Sequence, residues 1–311
     1  EESLKQYYIR SSYGKLVLEG SVLGWYTATN NRSWYTNEFG SDNYANAKLV
    51  EEVARYYDGM HDYSQYDGNG DGKIDYFAVI WSGPRGAWSS FWWGYYSSLY
   101  STTLTLDGVR FYKFSWQWET YSYPSGSFKP ETIIHETGHA LGVPDYYDYD
   151  DETGPIGGVG GLDMMDGNWG DHNAFSKFML DWLTPSVVTG ALYSQTLRPS
   201  GIYGDAVIVM PGLVGTNIFK EYYIAQNRFC TNNDQTYPTN GLLIWHVDAT
   251  LNASSNNFLY DNSYTDHKLL RLMQADGLEE IETNNAAADA GDYYNAGEKF
   301  TTTTMPNSQA Y

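Results

Sequence analysis

A single cysteine, Cys230, stands in 311 residues. One thiol cannot close an internal disulfide, so no covalent staple supports the fold. In the context RFCTNN it reads as a small buried hydrophobe and not as a nucleophile. Positive charge is also scarce: 18 Lys and Arg face 38 Asp and Glu, for a formal net charge of −20. Such a surface repels phosphates, which excludes nucleic acid as a partner. No apolar run approaches the ~20 residues of a membrane span, which excludes a transmembrane helix. Glu1 is not followed by a basic, apolar leader, so any targeting or pro-segment is expected to lie outside these residues.

Apolar residues are plentiful at 42 %, which makes this a globular chain with material for one large or two ordinary domains. Thirty Tyr and 11 Trp are unusual, a richness met in secreted enzymes that degrade sugars and proteins. An acidic surface also suits calcium-binding extracellular proteins.

The segment PETIIHETGHALGVPD, residues 130–145, contains His135, Glu136 and His139 in the order His-Glu-x-x-His. On a helix, positions i and i+4 share one face a turn apart, so both imidazoles reach one metal ion. Gly142 suits the left-handed residue after a last helical turn, and Pro144 forbids continuation. The break allows Asp145 to return as a third ligand. Zinc accepts imidazole nitrogen and carboxylate oxygen, and a catalytic site keeps a fourth position for water. Glu136, beside the first histidine, is the candidate general base. The plain alternative is an amphipathic helix with two surface histidines.

The run from Asp67 to Asp75 (DGNGDGKID) matches the first nine positions of a calcium loop. Its oxygen ligands would be Asp67, Asn69, Asp71, the Lys73 carbonyl and Asp75, with Gly72 at the turn. Position 12 is Ala78 and not Glu, and IDYFAVIW reads as a buried strand, so a structural Ca2+ loop outside an EF-hand is expected. The competing reading is a turn rich in Gly and Asx without an ion.

Elsewhere, alternation around Leu16, Leu18, Val22 and Trp25 predicts strands in the first 40 residues. Asp42 or Asn43 caps a predicted helix over 44–57. In the loop 85–100, Trp88, Phe91, Trp92 and Trp93 either line a substrate cleft or cover a hydrophobic edge. A strand is predicted over 109–118. Asp148, Asp150, Asp151 and Glu152 read as a solvated acidic loop in preference to a second calcium site. A helix is expected from Asp171 or Asn173 to Leu183. His172 beside that cap reads as a capping or surface residue, with substrate binding as the sharper alternative. From about Val187 short β-type runs (AVIVM, EYYIAQNR, GLLIWHVD) predict an all-β module, in which His246 is a structural residue.

These motifs together resemble the immune inhibitor A family of secreted bacterial metalloproteases, related to snapalysin and more distantly to other metzincins. The resemblance runs from SYGKLVLEG and YDGNGDGKIDY through HETGHALGVPDYYD and GGLDMMDG to EYYIAQNR and GLLIWHVD, and so covers most of the chain. It implies that His135, His139 and Asp145 bind zinc and that Glu136 is the base. It also implies that Met165 is the methionine of the turn beneath the metal, although Leu162 departs from the aromatic residue often found there and Met164 competes. A pro-segment and a first sheet strand are expected upstream, and further chain downstream.

The expectation is therefore an α+β protein: a metzincin-like catalytic domain over 1–186, with a twisted mixed sheet and an active-site helix, followed by a β-rich module over 187–311. Its activity would be that of a secreted, extracellular, monomeric zinc endopeptidase acting on protein or peptide. Two alternatives stay open. One is a zinc hydrolase whose third ligand is Glu152. The other is a metalloprotease-like module that binds glycan or protein without cutting, against which the intact Glu136 argues.

Overall fold

The computed structural model describes residues 3–40, 42–86, 92–100, 102–188, 194–209 and 217–311, with the side chains of Asp42 and Asn43 excepted. Contacts group the chain into two compact units, residues 19–142 and residues 1–18 together with 143–311.

The first 40 residues hold helices and not the expected strands. Helix α1 spans Leu4–Ser11, capped by Ser3, whose side chain accepts the Gln6 amide. Helix α2 spans Arg32–Phe39, capped by Asn31 on the Trp34 amide. Between them the alternation is not matched by burial: Val22 is 99 % exposed and Trp25 largely so. A strand without a buried face or a partner has nothing to stabilise it, and the local caps prevail.

In the unit 19–142, helix α3 (Asp42–Tyr57) follows α2. Its expected caps are side chains outside the described set. Strands β1 (Phe77–Trp81), β2 (Tyr95–Ser98) and β5 (Lys113–Trp118) form a three-stranded sheet in the order β1-β5-β2, and β3 (Thr105–Leu106) pairs with β4 (Val109–Arg110). β1 lies parallel to β5 and β2 antiparallel, so the sheet is mixed. The strand predicted over 109–118 is thus divided into β4 and β5 at Phe111 and Tyr112. Helix α4 (Glu131–Leu141) packs on β5 and β2. Gly94 permits this approach, because a Cβ there would come within 2.3 Å of the Thr132 methyl. The core of this unit includes Tyr35, Val50, Trp92, Phe114 and Trp116.

In the other unit, α5 (Met164–Gly167) and α6 (Ala174–Met179) precede a five-stranded sheet. Its strands are β6 (Ser186–Val188), β7 (Val207–Val209), β8 (Glu221–Arg228), β9 (Gly241–Asp248) and β10 (Leu270–Leu272), ordered β10-β9-β8-β7-β6. A short helix, α7 (Glu280–Asn284), interrupts what was expected to be wholly β. Helix α6 is shorter than the predicted run to Leu183, since Asp181 takes a left-handed φ of 57°. Tyr222, Ile224, Trp245, Val247, Leu270 and Leu272 bury one face of the sheet, as the period of two requires.

Candidate active site

Helix α4 carries the first three candidates. Ile134, His135, Glu136, Thr137 and Gly138 are buried, and His139 lies one turn beyond His135. The two imidazoles meet edge to face, with centroids 4.9 Å apart. Thr137 donates its hydroxyl to the Ile133 carbonyl at 2.6 Å and so does not compete for the ligand face. Tyr96 of β2 lies tilted against the His139 ring at 6.2 Å. Tyr76 donates to Ser115 Oγ at 2.7 Å. Burial pushes its phenol up to about 12; Ser115 and Thr137 oppose that shift, and the negative charge of Glu136 adds to it.

The helix ends as the sequence predicts. Gly142 takes a left-handed φ of 102°, and its amide donates to the Gly138 and His139 carbonyls. Three residues later comes Asp145. Along the eleven consecutive positions 135–145, one ligand atom each of His135, His139 and Asp145 lies within 4.8 Å of the others. Two imidazole nitrogens and a carboxylate oxygen are a donor set that zinc accepts, and they leave coordination positions for water. These residues therefore fit the metal that the motif implies.

Asp145 has a partner that sequence reading missed. Tyr149 Oη donates to Asp145 Oδ2 at 2.8 Å, and the Tyr147 and Tyr149 hydroxyls also hydrogen-bond. Only the spacing i, i+4 in the run DYYDY signals it. Glu152, the alternative ligand, is exposed and belongs to no metal-like group among the described residues. The acidic residues around it bond their own loop: Asp148 Oδ1 accepts the Asp150 amide at 2.8 Å, and Asp150 Oδ1 accepts the Glu152 amide at 3.2 Å.

Met165 is fully buried in α5, and its carbonyl accepts the Tyr146 amide at 2.9 Å. Asp163 caps this turn on the Met165 amide at 2.7 Å and also accepts the Asn173 amide at 2.6 Å. Asp166 Oδ2 accepts the amides of Val159 and Gly161. The glycine run is needed here: Gly157 has φ of 77°, and a Cβ on it would meet the Ile281 carbonyl at 2.3 Å.

His172 is neither exposed nor the cap; Asn173 caps α6. The imidazole is 1 % exposed among the rings of Tyr7, Tyr8 and Trp182, with Asp163 Oδ1 at 3.7 Å from Nδ1. Burial removes it from the substrate-binding candidates. Next to it lies a buried ionic network that the sequence did not disclose: Lys177–Asp171 at 2.6 Å and Arg228–Asp234 at 3.0 Å. Burial alone would raise the Asp171 carboxyl, but Lys177 and Arg228 hold it down at about 2.

In the loop of Asp67 to Asp75, Gly70 and Gly72 are left-handed, with φ of 73° and 79°. Asp67 Oδ1 accepts the Asp71 amide and Oδ2 the Gly72 amide, Asn69 Oδ1 also accepts from Asp71, and Asp75 Oδ2 accepts from Gly68. Asp71 Oδ1 accepts the Lys73 amide and pairs through Oδ2 with Lys73 Nζ at 2.8 Å. The three aspartates do not form a metal-like group; among the described residues the only other one is Asp276, Glu280 and Asp292. Trp92 is buried in the core of its unit and Trp93 is 46 % exposed; Trp88 and Phe91 lie outside the described residues. Cys230 is half-buried, its Sγ 3.3 Å from the Tyr237 carbonyl.

No protein-family model matches the chain. It is similar to the pre-pro-metalloprotease PrtV of Vibrio cholerae serotype O1, in strain M66-2 and in strain ATCC 39315 / El Tor Inaba N16961. Each is 29 % identical over 178 residues, a match that covers 47 % of this chain and 19 % of the relative. The chain thus spans under a fifth of the length of these curated relatives, and the relationship it establishes is a distant one to a metalloprotease. No helix among the described residues is long and apolar enough to cross a membrane.

Proposed function

We propose that the chain is a zinc-dependent endopeptidase acting on extracellular protein or peptide. The observation that carries this reading is the gathering of His135, His139 and Asp145 within 4.8 Å, with Glu136 buried on the same helix. The distant similarity to a metalloprotease supports it.

His135, His139 and Asp145 would hold the metal. Zinc bound there would supply Lewis-acid polarisation of a peptide carbonyl and a water acidic enough to ionise near neutral pH. Glu136 takes the proton of the attacking water and hands it to the leaving amine. Its burial limits competing solvent, so the proton has a defined route. Tyr149 fixes the orientation of Asp145. Met165 is assigned to the turn beneath the ligands, on the family resemblance and on the tie between its carbonyl and Tyr146.

Residues 1–186 would form the catalytic portion and 187–311 a β-rich companion, in a protein that is secreted and monomeric. The loop 67–75 is assigned a structural Ca2+ on its sequence spacing alone, since its aspartates bond the loop's own amides and form no metal-like group without an ion.

Metal analysis of the purified chain, joined to casein digestion by wild type and Glu136→Ala, tests the reading. Stoichiometric zinc in both proteins, with digestion by wild type alone, is expected. Equal digestion by both would remove Glu136 as base, and absence of zinc would remove the site.

A further inference from the structure

Strands β8, β9 and β10 bury one face and present the other as a row of polar and aromatic groups. Tyr223 pairs with His246, and His246 with Arg271, so the three lie side by side across the sheet. Two residues along, on the same face, Glu221 pairs with Asp248. His246 Nε2 lies 2.9 Å from Glu221 Oε1, and His267, from the loop before β10, has Nε2 3.0 Å from Asp248 Oδ2. Each imidazole is therefore fixed by its own carboxylate.

Between the two imidazoles sits the ring of Tyr311. It stacks on His246 at 4.4 Å and 16°, and on His267 at 4.0 Å and 21°. Behind His246 stacks Tyr223 at 4.4 Å, and behind His267 lies Tyr260 at 3.7 Å. Five rings thus form one column, with the inserted ring at its centre. The Tyr311 amide donates to Glu221 Oε1 at 2.7 Å, the Tyr223 hydroxyl donates to the Gln309 carbonyl, and Arg271 hydrogen-bonds the Tyr311 side chain.

Two features separate this from ordinary packing. The carboxylates that pin His246 and His267 and the rings behind them make the walls without help from Tyr311. Tyr311 as a whole residue is 47 % exposed, so the segment that carries it is not sealed in the core. Its contacts are generic: a flat ring, one amide, and the carbonyl two residues earlier. Any extended segment with an aromatic residue offers the same three groups.

We propose that the slot between His246 and His267 is a peptide-binding site for an aromatic residue on an extended segment, occupied in cis by Tyr311. It shares no residue with the group His135, His139 and Asp145, and the proposal does not depend on whether the chain cuts peptides. Because Tyr311 is tethered, it competes at the millimolar effective concentration typical of short links, and binding in trans is masked until it leaves.

The probe is a fluorescently labelled synthetic peptide with the sequence MPNSQAY of residues 305–311, titrated by anisotropy against the full chain. Tyr311→Ala is expected to bind it saturably and at least tenfold more tightly than wild type. Replacing the peptide's tyrosine by alanine, or adding His267→Ala to the chain, is expected to weaken binding at least tenfold. Tyr311→Leu serves as the second chain variant, since it keeps an apolar side chain if alanine loosens the fold. A folded variant that ignores the peptide, judged by an unchanged melting transition, overturns the proposal. So does wild type binding as tightly as the variants, or binding indifferent to the peptide's tyrosine.

Discussion

Tyr149 holds Asp145 from one helical turn further along the chain, donating its hydroxyl to Oδ2 at 2.8 Å although the segment is not a helix. The carboxylate that would complete the proposed metal site is thereby held by a tyrosine hydroxyl. Partners of this kind typically contribute ten- to hundredfold in metal affinity.

Tyr149→Phe is accordingly expected to bind zinc about tenfold more weakly than wild type. Asp145→Asn should lose more, since the ligand itself is changed. Competition with a chromophoric chelator measures both. Equal affinity in Tyr149→Phe and wild type would mean that Asp145 needs no such support.

Lys177 is expected to be the more damaging loss for stability. Its ammonium is buried against Asp171 at 2.6 Å. Lys177→Met leaves that carboxylate without its main counter-charge, at a cost of about 3–5 kcal/mol. Arg228 remains near and softens the loss. Urea midpoints at pH 7 check this, and the double variant Lys177→Met with Asp171→Asn should recover part of the difference.

Asp166 sets a pH dependence of the opposite sense to a paired carboxylate. Burial pushes it up to about 6, against the amides of Gly161 and Val159, which favour the charged form. A carboxyl whose folded pKa exceeds the ordinary ~3.9 contributes stability that is full below ~3.9 and is lost as pH rises towards its folded pKa. Asp166→Asn cannot titrate, so its stability should fall less steeply than wild type from pH ~4 to ~6. Asp234 and Asp292 are raised to about 6 as well, both by burial first, so the slope should shrink and not vanish. Urea midpoints across that range decide it; an unchanged slope would contradict the assignment.

Calcium at the loop 67–75 has a direct thermal test. Adding Ca2+ to chelator-treated protein at about 100 times Kd should stabilise it by about 2.7 kcal/mol and raise the melting temperature by several degrees. Asp67→Ala should abolish the rise. A wild-type protein whose melting temperature ignores Ca2+ would leave the loop as a turn held by its own amides.

Much of the candidate site was legible in the sequence because it is local. His135, Glu136 and His139 need only helical periodicity, and Gly142 with Pro144 announces where that helix stops. The N-cap of α6 was narrowed to Asp171 or Asn173 for the same reason, and the bond from the Ser176 amide to the Asn173 side chain picks the second. The predicted strands near Leu16 and Val22 failed because alternation counts only where one face finds something to cover it, and Val22 finds nothing.

By itself, the sequence determined the spacing of His135, His139 and Asp145, the helix and its end, the turn glycines and the alternating runs of the β-rich region. All of these depend on neighbours within a few positions. Tertiary structure alone decided that His172 is buried, that Lys177 and Arg228 meet Asp171 and Asp234, and that Tyr311 lies between His246 and His267. Those groups are brought together by strand register and chain crossings over tens of residues. No local periodicity encodes which distant side chain will share a desolvated position, because that is set by the packing of the whole fold.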